Sequence, residues 1–384
     1  MKKIAKLFGI LVELEKYVFY FLYVKIKHIN NDSVWLISER GTEARDNSYY
    51  LYRYIKKNHP EIAVKFVINK NSPDISKINS EDIVYLGSKQ HYLLFLTSGY
   101  LISTHIMGAS PNMSLFSRLD KHGLLKVHGK IIFIQHGIVQ NKIDIEHNNF
   151  DLITSASKDE CDFLKSLAKN KNSVKLLGLA RYDHLKDRSN QKRQILFMPT
   201  FRKNNNFLSD QQFTKTQYYI TIQNLLNNER LDAILRRNNL NLVFYPHYET
   251  QKRLYLFKTN SKNIIIASKE HYDVQSLLSE SCLLITDYSS VHMDFAFMKK
   301  PIIYYQFDEK EFFSKHYKVG YYDYEKMGFG IKATTEKQVI ELISSYAKNL
   351  FHNSARYLKR SERFFAFSDR KNCERTYKTI ISNN

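Results

Sequence analysis

Short apolar runs rich in Val, Ile and Leu recur along the chain, and each stops at a polar or glycine-bearing tip. Runs of this kind, bounded by turn residues, predict strands of a parallel sheet buried on both faces. The first half offers Val34–Ser38, Val64–Ile68, Ile83–Leu86, Tyr100–Ser103, Lys130–Ile134, Leu152–Thr154 and Val174–Leu177. The second offers Ile195–Met198, Leu242–Tyr245, Ile264–Ala267, Cys282–Thr286 and Ile302–Tyr305. Between them lie segments of helical period at Tyr49–Asn58, Gln90–Thr97, Lys158–Lys169, Phe213–Asn227, Leu231–Arg237, Val274–Ser279, Ser289–Met298 and Lys337–Phe351. The alternation predicts α/β layering. The charged stretch Lys186–Gln194 is the best boundary, giving two doubly wound halves that face each other across a cleft, and Lys203–Asp210 reads as a mobile loop. In Leu283–Asp308 a buried strand, the polar tip Asp287–Ser290, a short helix and a further strand from Pro301 follow one another. Ser289 is a natural N-cap there, so free N–H groups beyond the strand form a ready anion site.

Leu7, Leu11, Leu14, Val18, Phe21 and Leu22 also fall at helical spacing, with Lys2, Lys3, Lys6, Lys25 and Lys27 around them. A basic amphipathic helix lying in a membrane interface fits this pattern. The alternative is a helix that packs its apolar face on the domain behind it. The longest uninterrupted apolar run here, Tyr17–Val24, falls short of the roughly 20 residues a spanning helix needs. Glu13, Glu15 and Lys16 interrupt any signal peptide.

With 43% hydrophobic and 25% charged residues among 384, the chain is globular and long enough for two domains. Lys+Arg 58 against Asp+Glu 38 gives a net charge of +20, which points to anionic partners such as phosphates or an acidic membrane surface. Cys161, Cys282 and Cys373 stand far apart and form neither a disulfide framework nor a zinc site. No GxGxxG, GxxxxGK[ST] or HExxH is present, so a dinucleotide fingerprint, a P-loop and a tightly held metal are not indicated. No RNA-recognition signature appears, and nucleic acid is not an expected partner.

Ligands of such sheets bind beyond the carboxyl ends of the strands. In the first half those ends carry Glu39-Arg40-Gly41, Thr104-His105, Gln135-His136-Gly137 and Ser155. In the second they carry Thr200 with Arg202, Pro246-His247-Tyr248, Asp287 with Ser289-Ser290, and Gln306 with Asp308. Histidines, arginines and hydroxyls in this arrangement suit a phosphate-bearing ligand. His136 follows the run IIFI and precedes Gly137, which lets the backbone turn sharply and leaves room for a ligand. An imidazole at that tip can accept a proton from an attacking hydroxyl, or simply bond a loop carbonyl. His247, after LVFY, reads as a phosphate donor or an acid for a leaving group. Arg202 in FMPTFRKN and Arg181 in GLARYDHL could clamp phosphates bidentately.

ITDYSSVHMDFAFMKKPIIYYQFD resembles the signature of the CDP-glycerol glycerophosphotransferases, the teichoic-acid primases and polymerases that also serve some capsules. FIQHG, GLARYDHL, FMPTFR and YPHY follow in that family's order, and SERGTEARDNSYYLYRYIKKNHPEI and FSDRKNCERTYKTI are similar to its flanking motifs. The resemblance runs from about residue 33 to the C-terminus. It implies a GT-B-like α/β fold of two Rossmann-like doubly wound domains. On that basis residues 1–30 are expected to be the membrane-associating helix, 31–188 an acceptor-binding domain, and 189–355 the CDP-donor domain. Residues 356–384 are expected to form a helix crossing back. It also implies peripheral attachment to the cytoplasmic face of the plasma membrane. By motif match His136 is the expected base, while His247, Asp287, Ser289 and Ser290 hold the donor's CDP and diphosphate; Thr200, at its strand end, is expected to bind the same phosphates. Glu39, Arg40, His105 and Gly137 fall on the acceptor side. Arg202, Arg181, Gln306, Asp308 and Arg375 are further candidates. Gly137 is followed by Ile-Val-Gln-Asn-Lys where many members read TPLK, and Ala180 stands where Pro is expected; both flank the acceptor side.

The expected activity is therefore transfer of a polyol phosphate from CDP-glycerol or CDP-ribitol to a hydroxyl of a lipid-linked saccharide or polyol-phosphate polymer, with release of CMP. No tightly bound cofactor is expected, and a loosely held Mg²⁺ is compatible with the reading. A GT-B glycosyltransferase using a nucleotide sugar is the alternative enzyme. A non-catalytic basic protein of membrane surfaces or nucleic acid would explain the charge but not the polar strand ends.

Overall fold

A computed structural model describes residues 2–315 and 319–382, with side chains from residue 9. Leu7, Lys2, Lys3 and Lys6 therefore lie outside the described side chains. The chain forms two units, one of Met1–Ile138, Ile143–His184 and Ala366–Asn384, the other of Val139–Lys142 and Leu185–Phe365.

The first unit holds a seven-stranded, all-parallel sheet: β1 (Asn31–Ser38), β2 (Ala63–Ile68), β3 (Ile83–Tyr85), β4 (Ser98–Ser103), β5 (Lys130–Phe133), β6 (Leu152–Ser155) and β7 (Val174–Leu176). Their order is β3-β2-β1-β4-β5-β6-β7. The direction of winding reverses between β1 and β4, which pair in parallel from Trp35 and Tyr100 to Ser38 and Ser103. Trp35, Ile37, Phe66, Ile102 and Ile132 fill one face together with Leu51, Tyr52 and Ile55 of the helix Asn47–Asn58. The C-terminal helix Asn372–Ser382 closes that face with Cys373, Tyr377 and Ile380. It is anchored by Asp183, whose carboxylate accepts the N–H groups of Asn372 and Cys373, each at 2.8 Å. Gly178 (φ +82°) makes the approach possible, since a β-carbon there would lie 1.9 Å from Asn372 Oδ1.

The second unit repeats the plan with β8 (Gln194–Phe197), β9 (Asn241–Phe244), β10 (Ile264–Ile266), β11 (Ser281–Thr286), β12 (Ile302–Tyr305) and β13 (Ile331–Ala333). The order is β10-β9-β8-β11-β12-β13, again with every pair parallel and the reversal between β8 and β11. Ile195, Phe197, Leu283, Ile285 and Ile303 are buried beneath helices that contribute Tyr218, Ile222, Leu235, Val339 and Ile343. A buried lysine fixes the entry to β11. Lys300 Nζ donates to the carbonyls of Leu278, Ser279 and Ser281 and so closes the helix Val274–Glu280.

The N-terminal segment is one helix, Lys2–Lys27. Tyr17 packs edge-on against Phe116 and Tyr20 stacks on Tyr92, so one face of this helix is held by the first unit. The other face leaves Leu11, Val18, Phe19, Leu22 and Ile26 47–72% exposed. The reading of a helix packed on the domain behind it thus describes one face. Among the described residues no helix is long and apolar enough to cross a membrane.

Candidate active site

In the first unit the loops after β1, β4 and β5 bring Arg40, Thr104, His105 and His136 together. The rings of His105 and His136 stack with centroids 4.7 Å apart and planes 13° from parallel. Arg40 Nε–H donates to His105 Nε2 at 2.9 Å, and His105 Nδ1 lies 2.9 Å from Thr104 Oγ1. His136 is open to solvent. The surrounding protein, then the guanidinium groups of Arg40 and Arg181, hold its pKa below the ordinary histidine value. Burial, then His136 and Arg40, likewise keep His105 neutral.

The turn that presents His136 is not made by Gly137. Gln135 takes the left-handed conformation instead, at φ +53°. A residue with a β-carbon loses roughly 1–2 kcal/mol there. The loss is offset locally, because Gln135 Nε2–H donates to the carbonyl of Thr154 and its own carbonyl accepts Asn47 Nδ2–H at 2.8 Å. Glu39 is turned away from any acceptor. Its carboxylate accepts the N–H groups of Arg45, Asp46 and Tyr49 at 2.7–3.3 Å and fixes the start of the helix Asn47–Asn58. Burial, with Asp46 nearby, pushes its pKa up despite those donors. Arg181 is also committed within the fold: Nη1 donates to Asp46 Oδ1 at 2.8 Å and to the carbonyl of His136 at 2.7 Å. It supports the loop carrying His136 from behind and is not an open phosphate clamp. Arg375 serves the C-terminal helix, bonding Leu177 O, Asp369 and Asn372.

In the second unit the ends of β8, β11 and β12 share one buried network. Arg202 Nε and Nη2 grip Asp308 at 2.7 and 2.8 Å, Nη2 lies 2.9 Å from Asp287, and Nη1 donates to Thr200 O at 2.7 Å. Asp287 in turn accepts Thr200 N–H at 2.8 Å, and Gln306 Nε2–H donates to Asp287 O at 3.2 Å. Burial works against the Arg202 charge, but the two carboxylates outweigh it and hold the guanidinium protonated. Arg202, Asp287, Gln306 and Asp308 are therefore the frame of the strand ends and not free ligand contacts.

Two partly exposed groups stand on that frame. His247 stacks on Phe201 at 4.6 Å, and its Nδ1 accepts Glu249 N–H at 3.2 Å. In a neutral ring this places the proton on Nε2, a hydrogen-bond donor. Ser289 and Ser290 form the turn after β11. Ser290, not Ser289, precedes the helix Val291–Phe297, and it makes no side-chain capping bond because it is itself helical, at φ −62° and ψ −11°. His91 and His292 are core groups, bonded to Ala109 O and to the Tyr304 hydroxyl. Among the described residues no group of three or more His, Cys, Asp or Glu is placed to hold a metal ion.

A family model described as CDP-Glycerol:Poly(glycerophosphate) glycerophosphotransferase matches residues 18–382. The chain belongs to this family. Among the family's curated members, the minor teichoic acid biosynthesis protein GgaB of Bacillus subtilis (strain 168) is 32% identical over 375 residues, covering 92% of this chain and 40% of that protein. The teichoic acid poly(glycerol phosphate) polymerase of Bacillus spizizenii is 32% identical over 209 residues, or 54% of this chain and 46% of that one. The chain thus spans less than half the length of either relative. A solved structure of the wall teichoic acid polymerase TagF superimposes with a TM-score of 0.71 at 15% identity, covering 100% of this chain and 98% of that chain. That match carries the GT-B-like fold of two parallel sheets. A putative UDP-N-acetylglucosamine 2-epimerase from Listeria monocytogenes shares the plan more loosely, with a TM-score of 0.55 and 14% identity.

Proposed function

We propose that this chain transfers a polyol phosphate, most simply glycerol phosphate, from a CDP-polyol to a hydroxyl of a lipid-linked or polymeric saccharide acceptor, and releases CMP. Family membership supports the reaction class. The observation that carries it to this chain is His136 itself, open to solvent and stacked on the neutral His105 ring. A neutral imidazole keeps a lone pair on one ring nitrogen, as a base for a hydroxyl requires. The acceptor oxygen attacks the β-phosphorus, its proton passes to His136, and the bond to the CMP oxygen breaks. Catalysis of this step rests on positioning and on charge stabilisation. In the second unit His247 and the hydroxyls of Ser289 and Ser290 are proposed to hold the diphosphate. A donor aimed at such charge is worth about 2.7–4 kcal/mol of barrier.

The site is proposed to work at an anionic membrane surface. The exposed apolar face of the helix Lys2–Lys27, flanked by Lys25 and Lys27, supports this. The test of the chemical assignment is His136→Ala, assayed by CMP release from CDP-glycerol in the presence of acceptor. Turnover is expected to fall by about 10²–10⁴-fold, the usual contribution of a general base, with an unchanged melting transition. Near-normal turnover would remove His136 as the base.

A further inference from the structure

His136 does not stand alone, and the groups around it have a definite hydrogen-bond logic. A guanidinium carries donors only, so the Arg40 Nε–H···Nε2 bond requires an unprotonated Nε2 on His105. The single proton of that neutral ring is then on Nδ1, directed at Thr104 Oγ1. Thr104 thus takes the His105 proton with its hydroxyl, and the His105 ring so fixed stacks on His136. Its residue 105 neighbour is fixed from the backbone side as well: Ser103 Oγ accepts His105 N–H at 3.0 Å, and Gly108 N–H donates to His105 O at 2.9 Å. The charged and titratable groups facing His136 are Arg40 from the loop after β1, Arg181 from the turn Ala180–Asp183, and the neutral His105 from the loop after β4. Asp46 is paired with Arg181. Both cations disfavour an imidazolium at His136.

We propose that Arg40, acting through His105 and Thr104, is a positioning residue that keeps His136 oriented and unprotonated. This inference rests on the assignment of His136 as the base. In it, Arg40 contributes a fixed positive charge and a fixed donor; His105 contributes a flat, neutral surface that orients the reacting ring; Thr104 accepts the His105 proton. None of the three needs to touch the substrate.

The experiment is the pH profile of kcat and kcat/KM for CMP release by the full chain, measured for the native sequence, Arg40→Met, Arg40→Lys and His105→Ala. The native acid limb is expected at low pH. Arg40→Met should move it up by about 1 pH unit or more, as removal of a nearby like charge does. Arg40→Lys, which keeps the charge, should leave the limb in place while lowering kcat. His105→Ala should lower kcat with little change in the donor KM. A limb that stays put in Arg40→Met, with activity lost evenly at every pH, would overturn the proposal. Activity retained in His136→Ala is a different failure and would overturn the base assignment itself. A second readout needs no turnover: the ring carbon resonance of His136, assigned with His136→Gln, should titrate at higher pH in Arg40→Met than in the native chain, and an unmoved titration would likewise overturn the proposal.

Discussion

Arg202 offers the sharpest test of how the second unit is built. It is 7% exposed and holds Asp287 and Asp308, themselves buried or nearly so. Replacing it by Met retains most of the apolar stem but leaves two carboxylates facing each other with no counter-charge. Breaking a buried pair by removing one partner costs about 3–5 kcal/mol. For a unit of this size each kcal/mol lowers the melting temperature by about 2–4 °C, so the expected drop is roughly 6–20 °C. The pH dependence has a definite sign. Burial already raises the Asp308 pKa against the pull of Arg202, and loss of the guanidinium raises it further. A carboxyl whose folded pKa lies above its unfolded value stabilises most below the unfolded value and loses that contribution as pH rises. The deficit of Arg202→Met should therefore be largest at pH 7.5 and shrink toward pH 5. Adding Asp287→Asn and Asp308→Asn should restore much of the loss at pH 7.5. Differential scanning calorimetry of the three proteins at both pH values measures this. A drop of under 2 °C, or one that is the same at both pH values, would refute the network as described.

Gly108→Ala places a β-carbon 2.0 Å from Ser103 Oγ and 2.3 Å from Glu39 O, so the loop carrying His105 must shift; overpacking of this kind costs about 1–3 kcal/mol, and CMP release should fall together with the melting temperature. His247→Ala removes the Nε2–H donor and should lower kcat at saturating CDP-glycerol, whereas an unchanged kcat would exclude it from the phosphate site. Phe19→Asp with Leu22→Asp, on the exposed face of the N-terminal helix, should abolish sedimentation with phosphatidylglycerol vesicles and leave turnover of a soluble acceptor intact. Retained sedimentation would exclude that face as the membrane contact.

Much of this architecture was legible because parallel strands advertise themselves. Runs such as Val64–Ile68 and Ile302–Tyr305 are buried on both faces and so read as continuous apolar blocks. The edge strand Ile331–Ala333 escaped notice because it is three residues long and alternates with a lysine. The C-terminal stretch reads as one helix but is two, Ala355–Phe364 and Asn372–Ser382, joined by a segment in which Arg370 takes a left-handed conformation. At the site, strand tips could be located but not sorted. Arg202 and Asp308 are 106 residues apart in the chain, and nothing local shows that they neutralise each other. Glu39 looks like a ligand group until three backbone N–H groups within ten residues claim it. GLARYDHL looked like a phosphate motif; Arg181 instead bonds the His136 carbonyl and Asp183 caps the last helix. Thr104 gave only a hydroxyl at a strand end, and its role emerges from the His105 ring it serves. What these commitments leave is a smaller set: His136, open to solvent, in one unit, and the half-buried His247, Ser289 and Ser290 in the other.

The most direct measurement of the central claim is CMP release from CDP-glycerol and from CDP-ribitol, each with and without a lipid-linked saccharide acceptor. Acceptor-dependent CMP from one donor is the predicted result, and it names the polyol. No CMP from either donor, together with no CDP-dependent rise in melting temperature, would contradict the phosphotransferase account.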